Sequence, residues 1–443
     1  MDSLFSDKQS PINIIREVFG YIHRFKNEVF VLKIEDDLLT TPLFPILVKD
    51  IVLIKNMGIK VILVPGAKTS IDQVLTTYKE PILSENNIRI TTDKAMPLVK
   101  LGASNVTNKM LTLLSENGAH GVSGNWVKAH AIGIIEGLDF QNTGCVESIK
   151  TSVIDNLLIN NLIPIIPNIG WNAIGKPYNI SSNELAVTIA SSMKASKLFF
   201  ISKKKGIAAI PHCKVANLEV RTCGVFSSIE LSLAERLVQL HSHELDSYSS
   251  EIITHAIKAC KMGVNRVHVI DGSYDGILLQ EIFSTTGQGT MFHGNVHKHI
   301  RKAQPEDISE ILHVMNPYVK KGVLIQRTAE EIGEKLSSYY VYHVDDALHG
   351  CGAITFHPGS SAEIEAIVVD PHYSGKGTGK KIIRFLMGKA RKQYKKSIFI
   401  LTTQSGDYFM NLGFTLGSMD DLPEERKKTY NPQRKSKILT INL

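Results

Sequence analysis

Three glycines, Gly375, Gly377 and Gly379, punctuate the junction between a β-branched run, AEIEAIVV, and a basic amphipathic one, GTGKKIIRFLMGKARK. Glycines where a helix opens leave several backbone N–H groups bare and convergent, and the helix dipole adds positive potential, which suits a phosphate or diphosphate. Gly375, Lys376, Gly377, Thr378, Gly379 and Lys380 are the candidate contacts, with Lys376 and Lys380 either pairing with phosphate oxygens or remaining solvated surface lysines. The junction is not a P-loop, because no G-K-[ST] closes it, and it does not open a Rossmann unit. Just upstream, Glu363 and Glu365 stand two apart on a strand-like segment, so both carboxylates are expected on one face beside Ile367 and Val369. A carboxylate there can act as a general base; an edge position or a structural ion pair is the alternative. Thr402 and Thr403 close the next strand-like run, SIFILT, and put two hydroxyls at its end. Arg434 and Ser436, two apart on entry to the last strand, are expected on one face, where a guanidinium fork and a hydroxyl suit a carboxylate. Arg327, after GVLIQ, is a second isolated cation.

These residues belong to a chain of 443, with 43% apolar and 21% charged content, enough for two domains and too balanced for a disordered protein. Lys and Arg outnumber Asp and Glu by 50 to 43, a net +7 that suits anionic small molecules, but the charges are dispersed and form no basic stripe of the kind a nucleic-acid binder carries, so charge alone selects no partner. The 5 cysteines include no C-x-x-C pair, which argues against a disulfide framework and for a reducing compartment. The opening MDSLFSDKQS is unlike a targeting peptide, and no apolar run nears the ~20 residues that span a bilayer. A cytoplasmic protein without a membrane partner is expected. His241, His243 and Glu244 in HSHELD lack metal-ligand companions and read as an exposed helix end, so no metal is expected. The run Lys203 to Lys205 reads as a solvated loop.

Between about residues 27 and 292, the runs EVFVLKI, KVILVPG, NLIPIIPNIG and KLFFIS alternate with amphipathic stretches, which predicts βαβ units and a mainly parallel sheet covered by helices. Residues 1–26 hold a helical stripe of Ile12, Ile15, Val18, Phe19 and Ile22. A linker is expected at 293–299, HGNVHKH, and a mixed α+β domain at 300–443.

The pattern V-V-x-P-x-Y-x-G-K-G-x-G, from Val368 to Gly379, resembles the acetyl-CoA motif of the GNAT superfamily of N-acetyltransferases. That resemblance implies acetyl-CoA as co-substrate, held by Ile367, Val368 and Val369 at a strand bulge and by Gly375 to Lys380, with direct transfer and no metal. Many members place a tyrosine acid in F-Y-x-x-x-G-F; here YFMNLGF puts Phe409 at that position, which leaves the hydroxyls of Thr402 or Thr403 as donors to the departing CoA thiolate, although a thiolate of pKa near ~8.5 leaves readily without help. The first domain resembles the amino-acid kinase fold without its kinase parts. The K-x-G-G pattern reads Lys33-Ile34-Glu35-Asp36, the second turn reads Val64-Pro65-Gly66-Ala67-Lys68, and Asn183 replaces an organising Asp. Carboxylates and a proline where bare N–H groups meet phosphate predict no phosphoryl transfer.

Together with LPEERKKTYNPQRKSKIL, these features resemble the bacterial N-acetylglutamate synthase family along essentially the whole chain. The resemblance implies an α/β amino-acid kinase-like three-layer sandwich followed by an α+β GNAT domain. It implies acetyl transfer to the α-amine of L-glutamate, the first step of arginine biosynthesis, with Glu363, Glu365 and Thr402 as catalytic candidates and Arg327, Arg434 and Ser436 on the substrate carboxylates. Tyr21, Lys197, Glu281 and Gly287 would surround L-arginine as an effector, Glu281 facing its cationic end. A homo-oligomer, hexameric in arginine-sensitive relatives, is implied as well. An arginine-binding regulator with a vestigial transferase site, or an acetyltransferase for another amino acid, are the alternative readings.

Overall fold

The computed structural model describes residues 25–211, 213, 215, 218–283, 287–294, 298–344, 347–371 and 377–443. The expected N-terminal helix, Tyr21, Gly375 and Lys376 lie outside the described residues. The chain divides into two compact units, 1–295 and 296–443.

In the first unit, β1 (Val29–Ile34), β2 (Lys60–Pro65), β3 (Lys197–Ser202), β4 (Glu219–Val220), β5 (Phe226–Glu230), β6 (Arg266–Asp271) and β7 (Thr290–His293) form one sheet in the order β4-β5-β7-β6-β3-β1-β2. The neighbours β2, β1, β3 and β6 are parallel, while β7 is antiparallel to β6 and β4 to β5. The run KLFFIS is buried along its whole length, as a central parallel strand covered on both faces must be. Leu32, Ile34 and Leu63 pack against α1 (Phe44–Asn56) and α2 (Ala95–Glu116) through Phe44, Ile51, Val99 and Val106. On the opposite face, Val31, Leu198 and Phe200 meet Leu185 and Ile189 of α3 (Ser182–Ser192) and Ile253 of α4 (Ser247–Lys261), while Leu278 and Ile282 of α5 (Ile277–Phe283) join the cluster of the first face. The result is the expected three-layer α/β sandwich. Side-chain caps begin α3 and α4: Ser181 accepts the N–H of Glu184, and Asp246 that of Ser249. The run NLIPIIPNIG differs from its expectation, forming only the short strands Ile163–Pro164 and Ile169–Trp171. Pro164 and Pro167 lack the N–H groups that a continuous ladder would need.

The second unit is built on β8 (Lys298–Lys302), β9 (Tyr339–Val344), β10 (Ala347–Phe356), β11 (Ser361–Val369), β12 (Ser397–Thr402), β13 (Thr415–Leu416) and β14 (Lys437–Asn442), in the order β8-β9-β10-β11-β12-β14-β13. Every neighbouring pair is antiparallel except β11 with β12. One face is covered by α6 (Ile308–Lys320), whose Ile311, Val314 and Met315 pack on Val341, Cys351 and Ala353. The other is covered by α7 (Thr378–Lys392), where Ile382, Ile383, Leu386 and Ala390 form the apolar stripe that meets Ala362, Ile364, Ile398 and Leu439. The remaining face of α7 is rich in Lys and Arg, which is why the sequence reads as amphipathic there.

Candidate active site

Two irregularities in β11 create the site. Cys351 pairs with Val368 but Ala353 pairs with Glu365, so β11 carries one residue more than β10 across this stretch. Ala366 takes up the bulge at a φ of 53°, a conformation that L-residues rarely adopt. In addition, β11 and β12 are parallel-paired only at Ser361–Ser397, Ala362–Ile398 and Glu363–Phe399. Beyond that last rung the two strands share no ladder, and the edge of β11 that faces β12 is open to another molecule's hydrogen bonds.

The bulge corrects one expectation. Because side chains alternate with a period of two, an inserted residue exchanges the faces beyond it. Ala362 and Ile364 lie in the core under α7, and past the bulge it is Ile367 and Val369 that pack there, while Ala366 and Val368 join the core under α6. Glu363 and Glu365 therefore share the α6 face with Val368 and not with Ile367 and Val369.

On that face both carboxylates are held by arginines. Glu363 is buried; its Oε2 accepts from Nε of Arg426 at 2.8 Å and its Oε1 from Nη2 at 3.1 Å, with His357 Nε2 at 3.5 Å from Oε2. Glu365 Oε2 accepts from Arg327 Nη2 at 2.5 Å, and its Oε1 from the Thr355 hydroxyl at 3.2 Å. Arg327 also donates to the hydroxyl of Tyr339. Burial works against the charge on Arg327, but Glu365 and Tyr339 outweigh it and raise its pKa. Burial pushes the Tyr339 phenol up to about 12, against the pull of Arg327. Arg327 is thus no isolated cation, as its sequence context suggested. Arg426, in the short helix Glu424–Lys428, is the residue that sequence reading passed over; a single arginine among the charges of LPEERKK gives no periodic signal.

The structure also alters the expected pairing of Arg434 and Ser436. Arg434 ends a 3-10 turn, Lys435 has a φ of 48°, and β14 starts only at Lys437. Strand alternation therefore does not apply to them. Ser436 is anchored through its carbonyl, which accepts from the Tyr430 hydroxyl at 3.1 Å. Thr402 is buried, and its Oγ1 accepts the Ser405 N–H at 3.1 Å, whereas the buried Oγ1 of Thr403 has no hydrogen-bond partner among the described residues.

At the start of α7, Gly377 occupies the N-cap with a φ of 76° and supplies no side-chain cap, leaving the first N–H groups of the helix for another acceptor. Thr378 is buried and its side chain is hydrogen-bonded with Tyr342, and Lys380 is exposed. Val369 closes β11 with its carbonyl accepting from the Tyr318 hydroxyl at 2.5 Å.

The first unit brings together three of the residues expected around an effector. Glu281 is buried, with Oε1 2.8 Å from His268 Nδ1 and Oε2 accepting the N–H groups of Gln288 at 2.7 Å and Gly289 at 3.3 Å. A β-carbon on Gly287 would stand 2.9 Å from Glu281 Oε2. The Lys197 ammonium lies over the Phe25 ring, 4.8 Å from its centre, and its charge acts on His268. Burial and Lys197 hold His268 down at about 4. For Glu281 burial works upward, but the His268 hydrogen bond and the two backbone N–H groups outweigh it and hold it at about 2. Glu281 is therefore ionised at neutral pH and His268 neutral, donating from Nδ1.

Elsewhere in this unit the Lys33 side chain, buried in β1, is paired with Glu35, and Glu35 Oε2 lies 2.6 Å from where a β-carbon on Gly66 would stand. The carboxylate thus fills the space beside this turn. The HSHELD segment differs from its expectation: His241 is buried, with Nδ1 2.7 Å from Glu244 Oε1 and Nε2 3.9 Å from Cys213 Sγ. No group of His, Cys, Asp and Glu among the described residues is arranged to hold a metal ion, and no helix among them is long and apolar enough to cross a membrane.

Residues 28–271 match the amino acid kinase family, and residues 335–416 match the acetyltransferase (GNAT) domain. The amino-acid acetyltransferase of Pasteurella multocida is 30% identical, with 97% of each chain aligned, and that of Ralstonia nicotianae is 29% identical over 99% of this chain and 96% of its own. Among solved structures, N-acetylglutamate synthase from Neisseria gonorrhoeae complexed with coenzyme A and L-arginine is 27% identical, with a TM-score of 0.77 over 98% of this chain and 100% of its own. The same synthase complexed with coenzyme A and N-acetyl-glutamate is 28% identical, with a TM-score of 0.60 and the same coverage. With an amino-acid kinase-like unit, a GNAT unit opened at a bulged strand, and relatives aligned from end to end, the chain belongs to the amino-acid acetyltransferase family and is an enzyme that uses acetyl-CoA.

Proposed function

We propose that the enzyme transfers the acetyl group of acetyl-CoA to the α-amine of L-glutamate, giving N-acetyl-L-glutamate and CoA, as the first step of arginine biosynthesis. The observation that carries this reading is the arginine-anchored carboxylate pair on β11, set between the bulge at Ala366 and the last rung that β11 shares with β12. Arg327, Arg434 and Ser436 hold the substrate carboxylates; a guanidinium has five N–H donors, so Arg327 can serve Glu365 and a substrate together. The pantetheine arm lies along the open edge of β11 beside Ile367, Val368 and Val369. A backbone N–H of the bulge polarises the thioester carbonyl, where negative charge develops. Glu363, at the apex where the strands part, takes the amine proton directly or through a water. The amine lone pair forms the C–N bond, the C–S bond breaks, and the thiolate leaves with a proton from the Thr402–Thr403 corner or from solvent. The diphosphate rests on the glycine-rich start of α7, from Gly375 to Lys380.

L-Arginine is the proposed effector, bound by Tyr21, Lys197, Glu281 and Gly287. Its influence on acetylation requires unequal affinity for two arrangements of the protein. A cytoplasmic homo-oligomer, hexameric as in arginine-sensitive relatives, completes the proposal. Steady-state thiol release across the amino acids, with and without arginine, tests it: glutamate should be the acceptor and arginine should change the rate. Turnover of another amine with none for glutamate would reject the substrate.

A further inference from the structure

Tyr408 and Phe409 are adjacent in the short helix Gly406–Met410 that follows β12, and the structure treats them oppositely. Phe409 is buried and meets the Phe414 ring edge-on at 5.9 Å, in the core under α7. Tyr408 is 43% exposed, its ring edge-on to Phe409 at 5.4 Å. Its hydroxyl lies 2.7 Å from the point where a β-carbon on Gly379 would stand, and Val369 Cγ2 is 3.7 Å from the same point. The hydroxyl therefore flanks the first turn of α7, next to the end of β11. There the first intrahelical bond to the N-cap carbonyl comes from Lys381 N–H, so earlier N–H groups of the turn await an acceptor.

We infer that the Tyr408 hydroxyl donates a hydrogen bond to the diphosphate of acetyl-CoA and positions the cofactor, and that it takes no part in proton transfer at the thioester. Val369 is three residues beyond the bulge at Ala366, roughly 10 Å of extended chain, which is too far for a hydroxyl beside it to serve a leaving sulfur at the bulge. The absence of a side chain at Gly379 acquires a second reason: a β-carbon would displace that hydroxyl. The inference rests on the proposed placement of the cofactor.

The test compares Tyr408→Phe with the native enzyme on two acyl donors, acetyl-CoA and S-acetylpantetheine, which lacks the diphosphate. The expected result is a KM for acetyl-CoA raised about tenfold, the size of one hydrogen bond to a charged group. Values of kcat and of the glutamate KM should stay unchanged, as should kcat/KM for S-acetylpantetheine. An equal loss on both donors would mean that the hydroxyl acts at the thioester, and no change on either would make Tyr408 a spectator; each overturns the inference. Gly379→Ala should also weaken acetyl-CoA, but by less in the Tyr408→Phe background, whereas strictly additive effects would contradict the shared contact. Calorimetry of CoA with the native protein separates the two levels: no binding there removes the cofactor placement itself, while native binding matched by Tyr408→Phe removes only the role of Tyr408.

Discussion

Replacing Glu363 with Gln keeps the shape of the side chain and removes its charge. In the structure that charge is shared between Arg426, at 2.8 and 3.1 Å, and the position from which an amine proton would be taken. The two roles carry different costs. Loss of a charge-assisted pair is worth about 1.5–3 kcal/mol when buried, and Arg426, at 24% side-chain exposure, is open enough to water to place the cost near the lower end. That should lower the melting temperature by a few degrees and leave the fold intact. Loss of a general base should lower kcat by about 10²- to 10⁴-fold, or roughly 3–5 kcal/mol of barrier. Glu365→Gln should lose far less, because Glu365 lies past the last shared rung of β11 and β12 and is committed to Arg327 and Thr355. Arg426→Gln supplies the control, since it breaks the same ion pair and spares the carboxylate. Steady-state thiol release and thermal unfolding of the three variants give the answer. Equal small effects in Glu363→Gln and Glu365→Gln would remove both carboxylates from the chemistry. An Arg426→Gln variant as slow as Glu363→Gln would make the ion pair, and not the base, the source of the loss.

Arg434→Ala should mainly raise the glutamate KM, with kcat changed little; unchanged saturation with glutamate would reject its role. The first unit should lose stability in acid. Folded His268 titrates at about 4 against 6.5 for its ordinary value, and Glu281 at about 2 against 4.5. The unfolded chain therefore takes up protons first, and stability falls from 6.5 to 4 through His268 and from 4.5 to 2 through Glu281. Melting temperatures that stay flat between pH 7 and 4, or an unaltered profile in His268→Gln, would contradict that assignment. With ATP and N-acetylglutamate the enzyme should form no acylphosphate, because Glu35 fills the space beside Gly66 and pairs with Lys33; ADP release above background would refute this. Leu386→Ala, which empties a fully buried position under α7, should cost about 2–5 kcal/mol in denaturant titrations.

The sheet of the second unit was legible because AEIEAIVV and SIFILT are long β-branched runs and the stripe on α7 repeats at helical spacing. The start of α7 was legible for a different reason, since the φ of 76° at Gly377 lies in the region that glycine enters most readily. What escaped the sequence were events that change register without changing composition. The bulge at Ala366 reverses the faces of Ile367 and Val369, yet alanine carries no signal for a left-handed residue. Lys435, equally silent, breaks the alternation that would have aligned Arg434 with Ser436. Partnerships between residues distant in sequence were hidden too: Arg426 reaches Glu363, and Arg327 reaches Glu365, through tertiary folding alone. In the first unit, the substitutions at Glu35 and Pro65 were readable as the loss of a phosphate cradle, but not that Glu35 would turn back onto Lys33. The HSHELD segment looked like a polar helix end because four of its five polar positions are exposed, while His241 alone turns inward to Cys213.

The most direct test of the acyl-transfer account is a single-turnover reaction in which isotopically labelled acetyl-CoA meets an equimolar mixture of amino acids and the product is identified by mass spectrometry. The account predicts label on the α-nitrogen of glutamate, formed at the rate of CoA release and lost in Glu363→Gln. Label on another amine, on the protein itself, or in free acetate alone would contradict it.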